Sequence, residues 1–483
     1  MHGMMNEMGI LEEHFFKIQT EVSPAYQSEL LLFIYRRYIV PFYRNFANVR
    51  RWILDGRETL AFTLLDSNGL WYVDVEVTAG NPVEVRMRPS GAHVPNKVLN
   101  KIKEDLIITI QMFEDEIRRR TLYFAWVPSK HFAKEKTFTH KRKILSQIFT
   151  GNMLLLFVIF IVFSYITFIF AGPMYAPIIL VISQFILVLF SDKIIMRMGD
   201  WSITKESPYV YILQYHIPPE EFEYIRQNYP RERFLQIKRE IYERTLALGR
   251  TIDVQTVQDV FSQHGINIRP ENLLVKRVNV YQIVKEVASR FNMPIPKIRV
   301  ANIIVPNAAA TGPAPRFSLI LITTGLLIQL AEEEIFAVIG HEISHVKSRD
   351  PLALFALTSA EYLFRVYVLL QFIYFFGFLY FLLALSFVYF IAKFFEARAD
   401  LESAIVLGKP HALANALRKI GYRRIWIERA SGRIGSWLGL DPHPPLSFRI
   451  ERLESIRDPQ EIKHPFIQSM KDCVNGLLRE IGI

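Results

Sequence analysis

The chain of 483 residues has one cysteine, Cys473. That excludes an intramolecular disulfide framework and any cysteine-based zinc site. The first 17 residues carry Glu7, Glu12 and Glu13 and lack a long apolar core, so they do not read as a signal peptide. No charged residue lies between Ile144 and Ser191. The chain also lacks a clustered basic recognition helix, although its net charge is +10 and its pI near 9.4. A winged-helix-like DNA module over 253–282 therefore has little behind it, and nucleic acid is not an expected partner. The basic residues fall instead in short groups, Arg118-Arg119-Arg120 and Lys141-Arg142-Lys143. The second group abuts the uncharged run, which contact with an anionic membrane face explains simply.

Hydrophobic residues make up 51% of the chain, which suits a membrane protein with substantial soluble parts. Residues 1–140 read as a soluble α+β module of unassigned role. Runs from Thr59 to Arg88, broken at Ser67-Asn68-Gly69 and Gly80-Asn81-Pro82, predict a three-stranded meander, and Pro95 to Arg120 has helical periodicity. The uncharged run is broken by Gly172-Pro173-Met174-Tyr175-Ala176-Pro177, leaving two arms near the ~20 residues that cross a bilayer. Lys141 to Lys143 precede the first arm, and Lys193 and Arg197 follow the second. The positive-inside rule then puts both ends of a transmembrane hairpin (144–197) in the cytoplasm. Residues 201–276 read as a helical cytoplasmic insertion, with helix starts at Pro219-Glu220-Glu221 and Asp253-Val254-Gln255. Ile298-Arg299-Val300 and Phe317 to Ile322 read as short strands.

A helix predicted over Ala331 to Ser348 contains Gly340-His341-Glu342-Ile343-Ser344-His345. Glu332, Glu333 and Glu334 at its start and Lys347 at its end follow the order a helix dipole favours. At 3.6 residues per turn, His341 and His345 project from one face and can share one Zn²⁺. Glu342 between them sits where a carboxylate takes a proton from water at the metal.

After Asp350-Pro351 the sequence stays apolar to Phe395, apart from Glu361, Arg365 and Lys393. One continuous helix of ~45 residues would extend roughly 65 Å and carry the residues after Phe395 far from His341. Either a second hairpin (351–395), turning near Gln371 to Gly377, returns the chain to its starting side, or Pro351 to Arg365 stays outside the bilayer with one span after it. The position of the remaining zinc ligand decides between them. In the hairpin, Glu361 and Arg365, four apart, would neutralise each other. A hydrolytic zinc usually takes three protein ligands. Glu396 and Asp400 come just after the apolar stretch, on one helical face. Either Glu396 ligates the metal while Asp400 holds a ligand histidine by its other ring nitrogen, or both are ordinary juxtamembrane charges.

From about Val280 to Leu453 the sequence resembles the HtpX-like and CAAX prenyl protease group of integral-membrane zinc endopeptidases. The resemblance runs through Tyr281 to Val300, Asn307-Ala308-Ala309-Ala310-Thr311-Gly312 and Thr323-Thr324-Gly325-Leu326-Leu327. It continues through His341 to His345 with Ser348-Arg349-Asp350, Glu396 to Asp400, and His443-Pro444-Pro445-Leu446 before Arg449-Ile450-Glu451-Arg452-Leu453. It implies an α-helical membrane protein with an α+β zincin-like peptidase domain split between 277–350 and 396–483, and about four transmembrane helices in two hairpins. It also implies that Glu396 is the third zinc ligand and that the active site faces the cytoplasm of a multi-pass plasma-membrane protein. Ala309 stands where the family usually has an aromatic residue.

The expected function is a zinc metalloendopeptidase acting on membrane-associated or misfolded polypeptides, with one Zn²⁺ per chain. Glu342 is the expected base, and His443 is a candidate oxyanion stabiliser or a solvated loop histidine. Asn307 is a candidate substrate anchor or a turn former. The strand holding Phe317 and Leu319 is a candidate to pair with substrate. Arg449 is a partner for Asp400 or a plain helix charge. Two rivals are a CAAX-type prenyl-protein peptidase and a zinc-braced membrane scaffold without catalysis.

Overall fold

The computed structural model describes residues 13–66, 68–91, 94–128, 154–196, 199–431, 434–439, 441–459 and 462–482. The basic group 141–143 and Arg197 lie outside the described residues. The chain divides into two compact units, residues 1–126 with 212–276, and residues 127–211 with 277–483.

The first unit begins with β1 (His14–Ile18) and α1 (Gln27–Ile34). Four strands come next, β2 (Phe46–Leu54), β3 (Arg57–Leu65), β4 (Trp71–Thr78) and β5 (Val83–Gly91), then α2 (Asn96–Arg118) and β6 (Thr121–Trp126). The expected meander is the centre of a larger antiparallel sheet ordered β1-β5-β4-β3-β2. Its period-2 valines Val73, Val75, Val77, Val83 and Val85 are fully buried. They form one core with Leu99, Ile102, Leu106, Ile110, Phe113 and Ile117, the 3- and 4-residue stripe of α2. Strand β2 escapes a simple alternation reading because a bulge between Ala47 and Arg50 shifts its register and most of it is exposed. A hairpin signal is nonetheless present, since Asp55 and Gly56 both take positive φ (49° and 74°), as a tight turn requires.

The second unit opens with α3 (Leu154–Leu189), which Gly172 interrupts with φ 70° and ψ 169° just before Pro173. The two arms, 154–171 and 173–189, are 18 and 17 residues, about 27 and 26 Å long. Short α4 (Ser191–Met196) and strands β7 (Trp201–Ile203) and β8 (Tyr209–His216) come after it. From Ile212 to Lys276 the chain returns to the first unit, so residues 201–276 are divided between the two units and are not purely helical. Besides α5 (Pro219–Asn228), α6 (Arg231–Arg244) and α7 (Val254–Gln263), they carry β7, β8 and most of β9 (Leu273–Asn279), and β8 lies between β6 and β9 in a sheet. Asp253 caps α7 by accepting from Thr256 N at 2.8 Å.

Next come α8 (Val280–Arg290), β10 (Lys297–Ala301), β11 (Ala308–Thr311), β12 (Leu319–Thr323), α9 (Thr324–Gln329) and α10 (Glu332–Lys347). The sheet order is β11-β12-β10-β7, with β10 and β12 parallel. This corrects one expectation. The strand holding Leu319 is paired on both sides and fully buried, so it has no edge to offer a substrate, whereas β11 is the edge strand. Phe317 precedes β12 in a short turn, 57% exposed.

The chain ends with α11 (Asp350–Tyr367), α12 (Leu370–Leu407), α13 (Pro410–Ser431), α14 (Ile434–Leu438), α15 (Leu446–Ser455) and α16 (Pro465–Ile481). The break in the second apolar stretch falls at Val368-Leu369, not near Gln371 to Gly377. There the Phe364 carbonyl accepts from both Val368 N (2.9 Å) and Leu369 N (3.2 Å), closing the helix without glycine or proline, while Gly377 stays inside α12. Glu361 and Arg365 pair at 3.0 Å. Among the described residues, two helical stretches are long and apolar enough to cross a membrane, Val158–Leu189 and Gly377–Leu407. The first is no soluble core helix, since Phe170 on it is 87% exposed.

Candidate metal centre

Helix α10 is buried on nearly every side, from Glu334 through Gly340 and again at His341, Ile343, Ser344 and Val346. Glu334 fixes its start by accepting from Ala331 N at 2.8 Å and pairing with Lys419 at 2.8 Å. The helix lies hard against α12. Ser403 Oγ donates to Ala337 O (2.9 Å), and Ser344 Oγ meets Glu402 Oε2 at 2.5 Å. Between these contacts only a glycine fits, because a Cβ on Gly340 would sit 2.3 Å from Leu407 Cδ1 and 2.7 Å from Ser403 Oγ. This close approach sets His341, the next residue, opposite Glu396 and Asp400.

Three donors converge between the two helices. His341 Nε2 and His345 Nε2 are 3.2 Å apart, His345 Nε2 lies 3.3 Å from Glu396 Oε1, and His341 Nε2 lies 3.5 Å from Glu396 Oε2. A tetrahedral zinc with ligands at ~2.0–2.1 Å places neighbouring donors ~3.3 Å apart, so this spacing fits the ion. Among the described residues Glu396 Oε2 is buried without a hydrogen-bond partner, which suits a cation ligand. The field agrees. Burial alone would lower the His345 pKa, but the Glu396 carboxylate and the bond to Asp350 push it up to about 10, so the site draws positive charge. His341 is raised as well, burial being outweighed by Asp400 and Glu396.

Each histidine is held from behind. Asp350 Oδ2 lies 2.7 Å from His345 Nδ1 and takes Arg398 at 2.5 Å. Asp400 Oδ1 lies 3.0 Å from His341 Nδ1, close but not aligned as a straight hydrogen bond. Arg449 grips Asp400 with two bonds of 2.7 Å each and comes within 3.5 Å of Glu396 Oε2. Such outer contacts fix the ring orientation of ligand histidines. The Glu342 carboxyl pKa is raised, first by burial, and its Oε2 accepts from Ala310 N on edge strand β11 at 2.8 Å. His443 is 42% exposed at its side chain. Its Nε2 lies 3.6 Å from Glu396 Oε2, while Asp441 Oδ1 takes its backbone N (2.8 Å) and Nδ1 (2.9 Å). Asn307 is tied through its backbone to Thr323, its N to Oγ1 at 2.9 Å and its O to N at 3.0 Å.

The structure thus gathers His341, Glu342, His345, Glu396, Asp400, His443 and Arg449, and leaves Leu319 out. Sequence reasoning gave no role to Asp350 or Asp441. Asp350 comes directly after Arg349, whose left-handed φ of 57° folds the chain back onto His345, a turn with no glycine to signal it. Asp441, two residues before His443, was readable as a local side-chain-to-backbone turn.

Two histidines and a glutamate as ligands, with a second glutamate between the histidines, define a zinc metallopeptidase. The description of peptidase family M48 matches residues 275–457. Over 211 residues the chain is 29% identical to the protease HtpX homolog of Thermodesulfovibrio yellowstonii, covering 37% of this chain and 74% of the relative. It is 30% identical to that of Thermococcus kodakarensis (38% and 75%) and 31% identical to that of Pyrococcus furiosus (37% and 73%). The chain belongs to peptidase family M48.

Proposed function

We propose that the chain is a membrane-embedded zinc endopeptidase that cuts membrane-associated or misfolded polypeptides on the cytoplasmic side, with one zinc per chain. The observation that carries this is the convergence of His341, His345 and Glu396 beside an uncommitted Glu342 oxygen. When bound, zinc supplies Lewis acidity, which makes water nucleophilic near neutral pH and stabilises charge on a carbonyl oxygen. Glu342 Oε2 is steadied by Ala310 N–H, so Oε1 accepts the proton of the attacking water and passes it to the leaving amine. The outer edge of β11 pairs with an extended substrate backbone, and the three alanines 308–310 leave room for substrate side chains. His443 Nε2 donates to the developing oxyanion. Asn307 sets the start of that edge.

Four spans in two hairpins, formed by the arms of α3 and by α11 with the start of α12, keep the two halves of the site on one side of the bilayer. The Tyr367 hydroxyl bond to the Met174 carbonyl and the stacked Phe185 and Phe355 (5.5 Å) support packing of α11 on α3. Residues 1–126 and 212–276, a unit separate from the one that holds the peptidase site, then carry substrate choice. In a zinc-braced scaffold the glutamate base would be idle, and structural zinc sites need none. Glu396→Ala tests the ligand set, since it should lose both bound zinc and casein cleavage. Full zinc and full activity in that variant would remove the third ligand from the account.

A further inference from the structure

Lys393 is fully buried (0% exposed), although it takes no part in the proposed hydrolysis. Lysines are almost never fully buried unless paired. Its Nζ donates to two backbone carbonyls, Asp441 O at 2.6 Å and Gly439 O at 3.2 Å. The Asp441 carboxylate is engaged elsewhere, Oδ1 by His443 and Oδ2 by Arg424 at 2.9 Å. The ammonium therefore acts on the backbone of the segment that carries His443.

Its position on α12 gives that contact a consequence. Lys393, Glu396 and Asp400 are spaced 3 and 4 residues apart and share one helical face. One face of one helix thus holds the His443 segment, supplies a metal ligand and braces His341. We propose that Lys393 is a positioning residue that docks the His443 segment onto the turn of α12 bearing Glu396, setting His443 Nε2 at its 3.6 Å from the Glu396 carboxylate. The other anchors on residues 443–447 come from α13, and the tie to α12 through Arg449 and Asp400 lies six residues beyond His443. Arg424 reaches His443 O and Pro444 O only at 3.4 and 3.3 Å. Glu428 holds the next helix, accepting from Leu446 N (2.8 Å) and Ser447 N (3.2 Å). Neither contact is made from α12, so neither ties the segment to the metal ligand.

The role of His443 in this inference rests on the proposed peptidase reading. The test therefore combines kinetics with hydrogen–deuterium exchange on the full chain in detergent, for the parent, Lys393→Met, His443→Ala and the double variant. Lys393→Met should exchange ~10-fold faster at the amides of His443, Leu446 and Ser447, with the 341–345 amides and zinc content unchanged. On casein, His443→Ala should lower kcat ~100-fold and Lys393→Met ~10-fold with KM kept, and the double variant should be no slower than His443→Ala alone. Unchanged exchange in Lys393→Met, or a further 10-fold loss in the double variant, overturns the inference. A parent that does not cut casein counts against the peptidase reading, while the exchange comparison still decides the role of Lys393. If Lys393→Met does not fold, Lys393→Gln, which keeps a donor on a shorter stem, carries the same comparison.

Discussion

Arg449→Met removes a guanidinium but keeps most of the apolar stem. In the parent, Asp400 is 1% exposed and Arg449 6%, and two bonds of 2.7 Å join them. Breaking a buried pair from one side strands a charge, which typically costs ~3–5 kcal/mol. Asp400 would then face only His341 and would draw that ring out of the position that converges on Glu396. Loss of such an outer contact usually weakens metal binding ~10–100-fold. Zinc affinity by chelator competition, with thermal unfolding in the same detergent, measures both effects. The double variant Asp400→Asn/Arg449→Met strands no charge and should recover at least half of the lost stability. If Arg449→Met bound zinc as tightly and melted as late as the parent, the chain from Arg449 through Asp400 to His341 would be refuted.

Gly340→Ala should separate α10 from α12, because its Cβ would meet Leu407 and Ser403 at 2.3 and 2.7 Å. A cost of ~1–3 kcal/mol and weaker zinc binding are expected, by melting and metal titration. In the first unit, His216 falls to about 4 from 6.5, chiefly through burial, with Glu21 opposing. A histidine depressed on folding contributes stability above its unfolded pKa. About 3 kcal/mol is therefore lost as pH drops from 6.5 to 4, and exchange protection of β6 and β8 should fall across that interval. His216→Asn should flatten the dependence.

Those parts of the fold and site were legible in the sequence where residue type and spacing carry the physics locally. His341 and His345 share a helical face whatever surrounds them, and Gly172-Pro173 breaks an apolar run wherever it lies. Contacts that depend on long-range pairing stayed hidden. Whether β12 or β11 is an edge depends on β10, which pairs with β12 in parallel through residues some twenty positions away. Strand β2 was masked by its bulge and its exposed arginines. Asp350 and Asp441 act on histidines through turns of a few residues, and their importance appears only when the second ring nitrogen of each histidine needs a partner. Lys393 looked like an interruption in an apolar stretch until its carbonyl partners, 46 and 48 residues on, were in place.

The central claim is that Glu342 works as a base beside zinc held by His341, His345 and Glu396. Metal content and casein cleavage, measured together on detergent-purified parent and Glu342→Gln, test it most directly. The account predicts one zinc per chain in both proteins and cleavage in the parent alone. Equal cleavage by the two proteins, or no zinc in a folded parent, would contradict it.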